Sequence, residues 1–177
     1  MKATILGFMA GFGLAATSIH AGEGPQMISK SSVVSDQSSR LSSSIERGRY
    51  VAIMGGCNDC HTAEFGMRGG EVPEKDWLKG DGSMGWRGPW GTTYPTNLRL
   101  SLSKMTEAQW VHYAKNLKAR PPMPWFNVNK WSEADLRAFY RYVRHLGPAG
   151  QPVPQALPPG QQAKTPVISF PEPPAKR

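Results

Sequence analysis

The chain has 177 residues, of which 39% are hydrophobic, and it contains 19 glycines and 16 prolines. This length and composition suit one domain with a modest core, many turns and flanking tails. The formal net charge of +8, with a pI near 9.7, favours acidic partners or anionic surfaces. No dense Lys/Arg block and no nucleic-acid-binding motif accompanies this charge, so the composition does not favour a nucleic-acid-binding protein.

Residues 1–21 have the pattern of a secretory signal peptide, with Lys2 as the positive end, an apolar stretch from Ala3 to Thr17 and the small Ala21 at the cleavage site. The alternative is an uncleaved membrane anchor, although the stretch falls short of the roughly 20 residues that a spanning helix needs. No cysteine lies near the cleavage site, so a bacterial lipid anchor is not indicated. The pattern predicts export to the periplasm.

Residues 22–43 are rich in serine and poor in large apolar groups, which predicts a flexible linker because such a segment cannot offset its ordering entropy. A first helix is predicted at 44–56, leading directly to Cys57. Residues 62–104 are Gly-rich with interspersed aromatic residues, and we expect mostly loops there.

Two further helices have clear start signals. Thr106-x-x-Gln109 is a capping box, and the helix it begins should run to about Lys118, before Pro121-Pro122. Ser132-x-x-Asp135 resembles the same device, with Asp in place of Glu or Gln. One apolar helix face follows, made of Leu136, Phe139, Tyr140 and Val143, and Gly147-Pro148 is the expected end of that helix. From 148 to 177 the chain is a Pro-rich tail that we expect to lie extended across the domain surface.

The chain has only two cysteines, Cys57 and Cys60, and both belong to the pentapeptide Cys57-Asn58-Asp59-Cys60-His61. This C-x-x-C-H pattern is typical of c-type haem attachment. Two thiols at this spacing can add to the two vinyl groups of one porphyrin edge, and the following imidazole can bind the iron. The sequence therefore predicts one covalently bound haem c, with His61 as an iron ligand.

Three other interpretations of the two cysteines are less favoured. A thioredoxin-like redox pair expects a preceding strand in a βαβ frame, which the sequence does not indicate. A zinc site needs further ligands, and only His20, His112 and His145 remain in the chain. A disulfide between Cys57 and Cys60 would close too short a loop to stabilise the domain appreciably.

An electron carrier usually has a sixth iron ligand, because a fixed coordination shell changes little on electron transfer. Met123 lies in Arg120-Pro121-Pro122-Met123-Pro124-Trp125, where prolines on both sides stiffen the backbone and would hold the sulfur in one place. We therefore predict Met123 as the second iron ligand, against the alternative that it only fills the core. Four other methionines are assigned to the core or to surface loops: Met54, Met67, Met84 and Met105.

These motifs occur in an order that resembles class I monohaem c-type cytochromes, and in particular the bacterial periplasmic cytochrome c modules associated with dehydrogenases. The resemblance covers about residues 44–147. The stretches that carry it are Gly48-Arg49-Tyr50-Val51, the haem motif, Gly91-Thr92-Thr93-Tyr94-Pro95-Thr96-Asn97, the Met123 loop and the helix Asp135–Arg144. Those modules often occur as three in one polypeptide, whereas this chain has a single haem motif.

The resemblance implies an all-α cytochrome c fold, in which a few helices and long loops surround one haem. The first and last helices would cross at Gly48, beside Phe139 or Tyr140. It also implies that Tyr94, Asn97 and one of Trp86, Trp90 or Trp125 bind the haem propionates, with core filling as the alternative. The second ring nitrogen of His61 would be held by a backbone carbonyl, with Pro73 and Pro89 as candidates.

The function implied is one-electron transfer between periplasmic redox proteins, without catalysis by the chain itself. The alternatives are a haem-based gas sensor or peroxidase-like enzyme with a labile sixth ligand, and a binding module that carries zinc or a disulfide. Four basic residues flank the proposed Met123 loop and could steer an acidic redox partner to the haem edge, or could be scattered solvated charge: Lys115, Lys118, Arg120 and Lys130.

Overall fold

The computed structural model of the chain describes residues 30–171. The predicted signal peptide, residues 22–29 of the predicted linker and residues 172–177 of the tail lie outside the described residues. Within 30–171 the helices are α1 (Lys30–Met54), α2 (Cys57–His61), α3 (Leu98–Ser103), α4 (Glu107–Lys115), α5 (Trp125–Val128) and α6 (Glu133–Leu146). A 3₁₀ turn covers Glu74–Asp76. Over this range no helix combines the length and the apolar character needed to cross a membrane.

The first helix begins earlier than the sequence predicts. Residues 30–43, expected in a flexible linker, form the first part of α1 (Lys30–Met54), and from residue 33 to residue 43 their side chains are exposed. Helix propagation costs far less than nucleation, so the packed part after residue 43 can extend into a Ser-rich segment. An exposed i,i+4 ion pair between Arg40 and Asp36 lies in this extension.

The crossing of α1 with α6 is the largest contact between any two elements of the described chain. Gly48 lies at the crossing, where an added Cβ would lie 2.1 Å from the carbonyl oxygen of Ala138 and 2.6 Å from Cβ of Tyr142. The expected crossing at Gly48 is therefore present, with Ala138 and Tyr142 as the partners rather than Phe139 or Tyr140. Only a residue without a side chain permits this backbone approach.

The predicted capping residues Thr106 and Ser132 both begin helices, but the side chains three residues after them form different hydrogen bonds. At α4 the capping box is complete: the Gln109 N–H donates to Thr106 Oγ1, and the Thr106 N–H donates to Gln109 Oε1. At α6 the Asp135 N–H donates to Ser132 Oγ, but the shorter Asp135 side chain accepts from the Ser132 hydroxyl. Asp135 also accepts a hydrogen bond from Arg47 at 2.8 Å, which ties α1 to the start of α6.

A cluster of partly buried charged side chains joins helices α1, α4 and α6. The Glu107 carboxylate at the start of α4 accepts hydrogen bonds from Arg137 and Arg141 of α6, and Arg141 also donates to Ser44 of α1. Burial alone would raise the pKa of Glu107, but the hydrogen bonds from Arg141 and Arg137 outweigh burial and lower it. The carboxylate is therefore charged at neutral pH and holds α4 against α6.

The fold is not all-α, because the described residues include a small mixed sheet. Strands β1 (Gly85–Gly88) and β2 (Gly91–Thr93) form an antiparallel hairpin, and β3 (Val167–Ser169) pairs parallel to β1. The sequence signal for β1 and β2 is weak because the strands are short and Gly-rich, and glycine is depleted in strands. β3 comes from the tail, which has few apolar residues.

The described part of the tail, from 148 to 171, contacts the rest of the domain at several points. Leu157 exchanges two backbone hydrogen bonds with Thr92, at 2.8 and 3.0 Å. The Phe170 ring packs against Trp86 and Trp90. The tail is therefore part of the folded domain and covers the β1–β2 hairpin.

Replacing Gly48 with Ala should destabilise the protein although alanine favours helices, because the new Cβ collides with the α6 backbone. Overpacking of this kind costs about 1–3 kcal/mol, which exceeds the gain of up to about 1 kcal/mol in helix propensity. Urea unfolding measures the difference. The control is Gly66→Ala, where an added Cβ meets no atom within 4 Å. Equal stabilities of Gly48→Ala and the parent protein would contradict the described crossing.

Candidate functional site

The two cysteines lie on α2 (Cys57–His61), which follows α1 after a two-residue turn. The segment before the motif is thus a helix, whereas a thioredoxin-like cysteine pair would follow a strand. Both thiols are free, so no disulfide joins Cys57 to Cys60. Helix α1, fixed against α6 at Gly48, determines where α2 and its two thiols lie.

The environment of both cysteines keeps them as thiols. Burial, and after it the nearby Asp59 carboxylate, raise the pKa of Cys57 to about 12. The pKa of Cys60 is raised by the same two causes, burial first. Redox-active cysteine pairs instead need a thiol with a lowered pKa. The site therefore lacks the electrostatics of a thiol–disulfide oxidoreductase.

The His61 imidazole is buried, and its Nδ1 lies 2.7 Å from the carbonyl oxygen of Thr96. A carbonyl oxygen can only accept, so Nδ1 carries the proton and Nε2 keeps its lone pair. Burial lowers the pKa of His61 more than the Thr96 bond raises it, so the ring is neutral at pH 7. The acceptor is Thr96, and neither Pro73 nor Pro89, the two candidates from the sequence, holds Nδ1.

The backbone at Gly80 packs closely against both His61 and the loop that contains the Thr96 carbonyl. The Gly80 N–H donates to the His61 carbonyl at 2.7 Å. An added Cβ at Gly80 would lie 2.7 Å from both the Asn97 nitrogen and the Pro95 oxygen, so this position requires glycine. The loop 94–97 is therefore held at close range against the segment that carries His61.

Two adjoining cavities meet at His61. The larger has a volume of about 490 Å³ and is lined by Cys57, by the apolar residues Leu98, Leu102, Trp110, Leu117, Val128, Trp131 and Phe139, and by others. The smaller has a volume of about 230 Å³ and is lined by Trp86, Thr93, Tyr94, Arg120, Pro122, Ala156 and others. Five residues line both cavities: Cys60, His61, Thr96, Ala119 and Met123. Together they fall within the size range of small-molecule and cofactor sites.

The structure brings Met123 to the same cavities as His61, across 62 positions of sequence (123 minus 61). Its loop is anchored to the sheet, because the Thr93 hydroxyl donates to the Pro121 carbonyl at 2.8 Å. The Trp125 N–H donates to the Met123 carbonyl at the start of α5 (Trp125–Val128). Thus the Met123 thioether and the His61 imidazole line the same space.

Among the other residues expected at the site, Tyr94 and Trp86 line the smaller cavity. The Tyr94 hydroxyl lies 2.8 Å from the Thr165 hydroxyl of the tail. Trp90 lines neither of the two cavities that meet at His61, and its buried indole N–H has no hydrogen-bond partner among the described residues. Trp125 lines neither of these cavities.

Asn97 is buried but lies apart from both cavities. Its amide nitrogen donates to the carbonyls of Ala149 and Gln151, at 2.9 and 3.2 Å, and its Oδ1 accepts from the Leu100 N–H. An amide has two N–H groups, and the protein's own backbone uses both. The structure leaves Asn97 no N–H for a propionate.

Sequence reasoning missed the Thr96 carbonyl and the apolar wall of the larger cavity. Every residue has a backbone carbonyl, so no residue type could have marked Thr96. Phe139 was predicted as part of an apolar helix face. Trp110, Trp131 and Phe139 all line the larger cavity, and the Phe139 ring packs against those of Trp110 and Trp131, with centroids 5.6 and 5.7 Å apart.

The zinc interpretation lacks a ligand set in the described part of the chain. Between residues 30 and 171, no group of three or more His, Cys, Asp or Glu side chains is placed to hold a metal ion. His112 and His145 are exposed, and neither lines a cavity that contains Cys57 or Cys60.

Comparison with curated proteins finds similarity to cytochrome c subunits. The chain is 28% identical over 119 residues to "Alcohol dehydrogenase (quinone), cytochrome c subunit" of Gluconacetobacter polyoxogenes, and equally to that of Komagataeibacter europaeus. Each alignment covers 61% of this chain and 23% of the relative. A subunit of the nicotinate dehydrogenase of Pseudomonas putida is 27% identical over 120 residues, covering 62% of this chain and 9% of the relative.

The chain spans less than a quarter of the length of these curated relatives. No protein-family model matches the chain, and no solved structure matches it. The comparisons thus show similarity, over about 60% of the chain, to subunits of dehydrogenases, two of them named as cytochrome c subunits.

Proposed function

We propose that the chain is a periplasmic electron-transfer protein that carries one electron on a single c-type haem. The observation that carries this proposal is the meeting of four groups at one pair of cavities: two free thiols, a neutral imidazole and a thioether. The similarity to dehydrogenase subunits, two of them named as cytochrome c subunits, supports the same class of function.

The residues present fit such a group. Cys57 and Cys60 would hold it through thioether bonds, each formed by addition of an S–H across a vinyl group without an external oxidant. His61 offers an Nε2 lone pair, because Thr96 fixes the proton on Nδ1. Met123 would supply the second iron ligand. Trp86, Tyr94 and Arg120 line the smaller cavity and carry hydrogen-bond donors that could bind the propionates.

When bound, the haem iron supplies one-electron chemistry between Fe(II) and Fe(III). The protein's role would be to hold the haem in place and to keep water away from it. Leu98, Leu102 and Phe139 exclude water from the larger cavity. Met123, as a second ligand beside His61, would compete with any gas or substrate for the iron, which favours a carrier over a gas sensor or a peroxidase.

Covalent attachment is tested by extraction with acidic acetone. We expect one haem to stay with the chain, seen as the added mass of one haem in the intact protein. The double variant Cys57→Ser and Cys60→Ser should release all of its haem, because a serine hydroxyl does not add to a vinyl group under these conditions. Release of the haem from the unmodified protein under the same extraction would overturn the proposed attachment.

Replacing Met123 with Ala tests the second ligand. The weak far-red absorption band of the Fe(III)–thioether bond should disappear, and the potential should fall by a sizeable part of the roughly 0.8 V range that axial ligands span. The reduced variant should bind carbon monoxide, which the parent should not. Met67→Ala is the control, because Met67 is 82% exposed and lines neither cavity. Rapid carbon monoxide binding by the parent protein would favour the sensor or peroxidase alternative.

The partner is proposed to be a redox protein with an acidic docking face, such as a dehydrogenase component. Lys118 and Lys130 are exposed near the Met123 loop and form no ion pair within residues 30–171. Lys115 donates to the carbonyls of Asn129 and Trp131, and Arg120 lines the smaller cavity. Lys115, Lys118 and Lys130 flank the Met123 loop in sequence, Arg120 begins it, and Lys115 also bonds to the protein's own backbone.

Reversing Lys118 and Lys130 to Glu should slow electron transfer with an acidic partner at low salt and leave the absorption spectrum unchanged. The difference from the parent should fade as salt rises, because the Debye length shrinks to about 8 Å near physiological ionic strength. Stopped-flow rates across a salt series measure this. The control reverses two exposed cations elsewhere, Arg68 and Lys164, with the same change in net charge. Rates that are insensitive to both salt and the Lys118/Lys130 reversal would mean apolar or permanent docking.

A further inference from the structure

The Asn97 side chain connects three parts of the chain. It begins α3 by accepting the Leu100 N–H at 3.0 Å, and it donates to Ala149 and Gln151 of the tail. Asn97 directly follows Thr96, whose carbonyl holds the His61 ring. The tail is therefore linked to the imidazole by the hydrogen bonds of Asn97, the covalent step from Asn97 to Thr96, and the hydrogen bond of the Thr96 carbonyl.

The geometry of the tail at this point depends on Gly150. Its φ of +78° lies in the region that favours glycine, and the turn there directs the carbonyls on either side of it toward the Asn97 amide. An added Cβ at Gly150 would lie 3.0 Å from Asn97 Nδ2. The tail segment 149–151 therefore fits the buried amide closely, and a larger residue at Gly150 would disturb both hydrogen bonds.

The loop 94–97 also contacts the segment 80–81: Gly80 approaches its backbone closely, and the Asp81 N–H donates to the Pro95 carbonyl. The segment 80–81 and, through Asn97, the tail both limit movement of the loop. A loop fixed at these points keeps the Thr96 carbonyl close to Nδ1.

We infer that Asn97 is a positioning residue, and that the tail segment 149–151 acts through it to hold the Thr96 carbonyl on the imidazole of His61. The inference rests on the proposed function only in that His61 is taken as the iron ligand. It assigns Asn97 a role different from the propionate binding that the resemblance implies. It also gives the tail a part in the site, since its backbone completes the support of the ligand.

Two variants disrupt the hydrogen bonds between Asn97 and the tail, one by changing Asn97 and the other by changing the tail at Gly150. In Asn97→Ser, the shorter hydroxyl can still begin α3, because serine is a good N-cap residue, but both bonds to the tail are lost. In Gly150→Ala, the Asn97 side chain is intact and its tail partners are displaced. Gly160→Ala is the matched control: Gly160 lies in the same tail with a φ of +83°, and an added Cβ there meets nothing within 4 Å.

The measurement is the exchange of the His61 Nδ1 proton with solvent, followed by NMR in the reduced, haem-loaded protein, together with urea unfolding. We expect Asn97→Ser and Gly150→Ala each to exchange this proton about tenfold faster, because the loop 94–97 opens locally more often. Gly160→Ala should stay within about twofold of the parent. The reduction potential should shift in the first two variants and not in the third.

Unchanged exchange in both Asn97→Ser and Gly150→Ala would overturn the inference. Equal acceleration in all three variants, in proportion to their loss of global stability, would also overturn it, since the effect would then be unfolding. A protein that retains no haem contradicts the proposed function alone. In that case the same exchange measurement on the haem-free chain still decides the role of Asn97, because the Thr96 and tail contacts belong to the protein.

Discussion

The hydrogen bond between His61 Nδ1 and the Thr96 carbonyl is the interaction on which the candidate site depends. It fixes the tautomer of a buried, neutral imidazole and so leaves Nε2 as a base toward the cavities. The close approach of Gly80 to the loop 94–97 and the crossing of α1 with α6 at Gly48 both serve to bring its two ends together. Without this bond, neither ring nitrogen would have a fixed role.

Local sequence patterns predicted those features of the site that local chemistry determines. The spacing within the pentapeptide from Cys57 to His61 predicted a shared site, and the structure places its two thiols and its imidazole at one pair of cavities. The capping residues Thr106 and Ser132 began helices where expected, because side-chain capping acts over only three residues. Met123 was singled out by the prolines around it, and the structure brings it to the same cavities.

The features that the sequence did not reveal depend on partners far away in the chain. The sheet was missed because β1 is short and Gly-rich, and because β3 comes from a tail of low apolar content. The role of Asn97 could not be read from its residue type, since its partners are the backbone carbonyls of Ala149 and Gln151. The helical state of residues 30–43 follows from the packed helix that continues them, which no window within that segment contains.

The position of the tail contacts along the chain has a consequence for the order of folding. Asn97 pairs with a residue 52 positions later, and Tyr94 with one 71 positions later. Contacts between such distant positions form late, because loop closure must precede them. A chain that emerges N-terminus first therefore displays Cys57, Cys60 and His61 well before the tail arrives. During this interval the tail does not yet contact the loop beside the motif, and the domain closes only when the tail arrives.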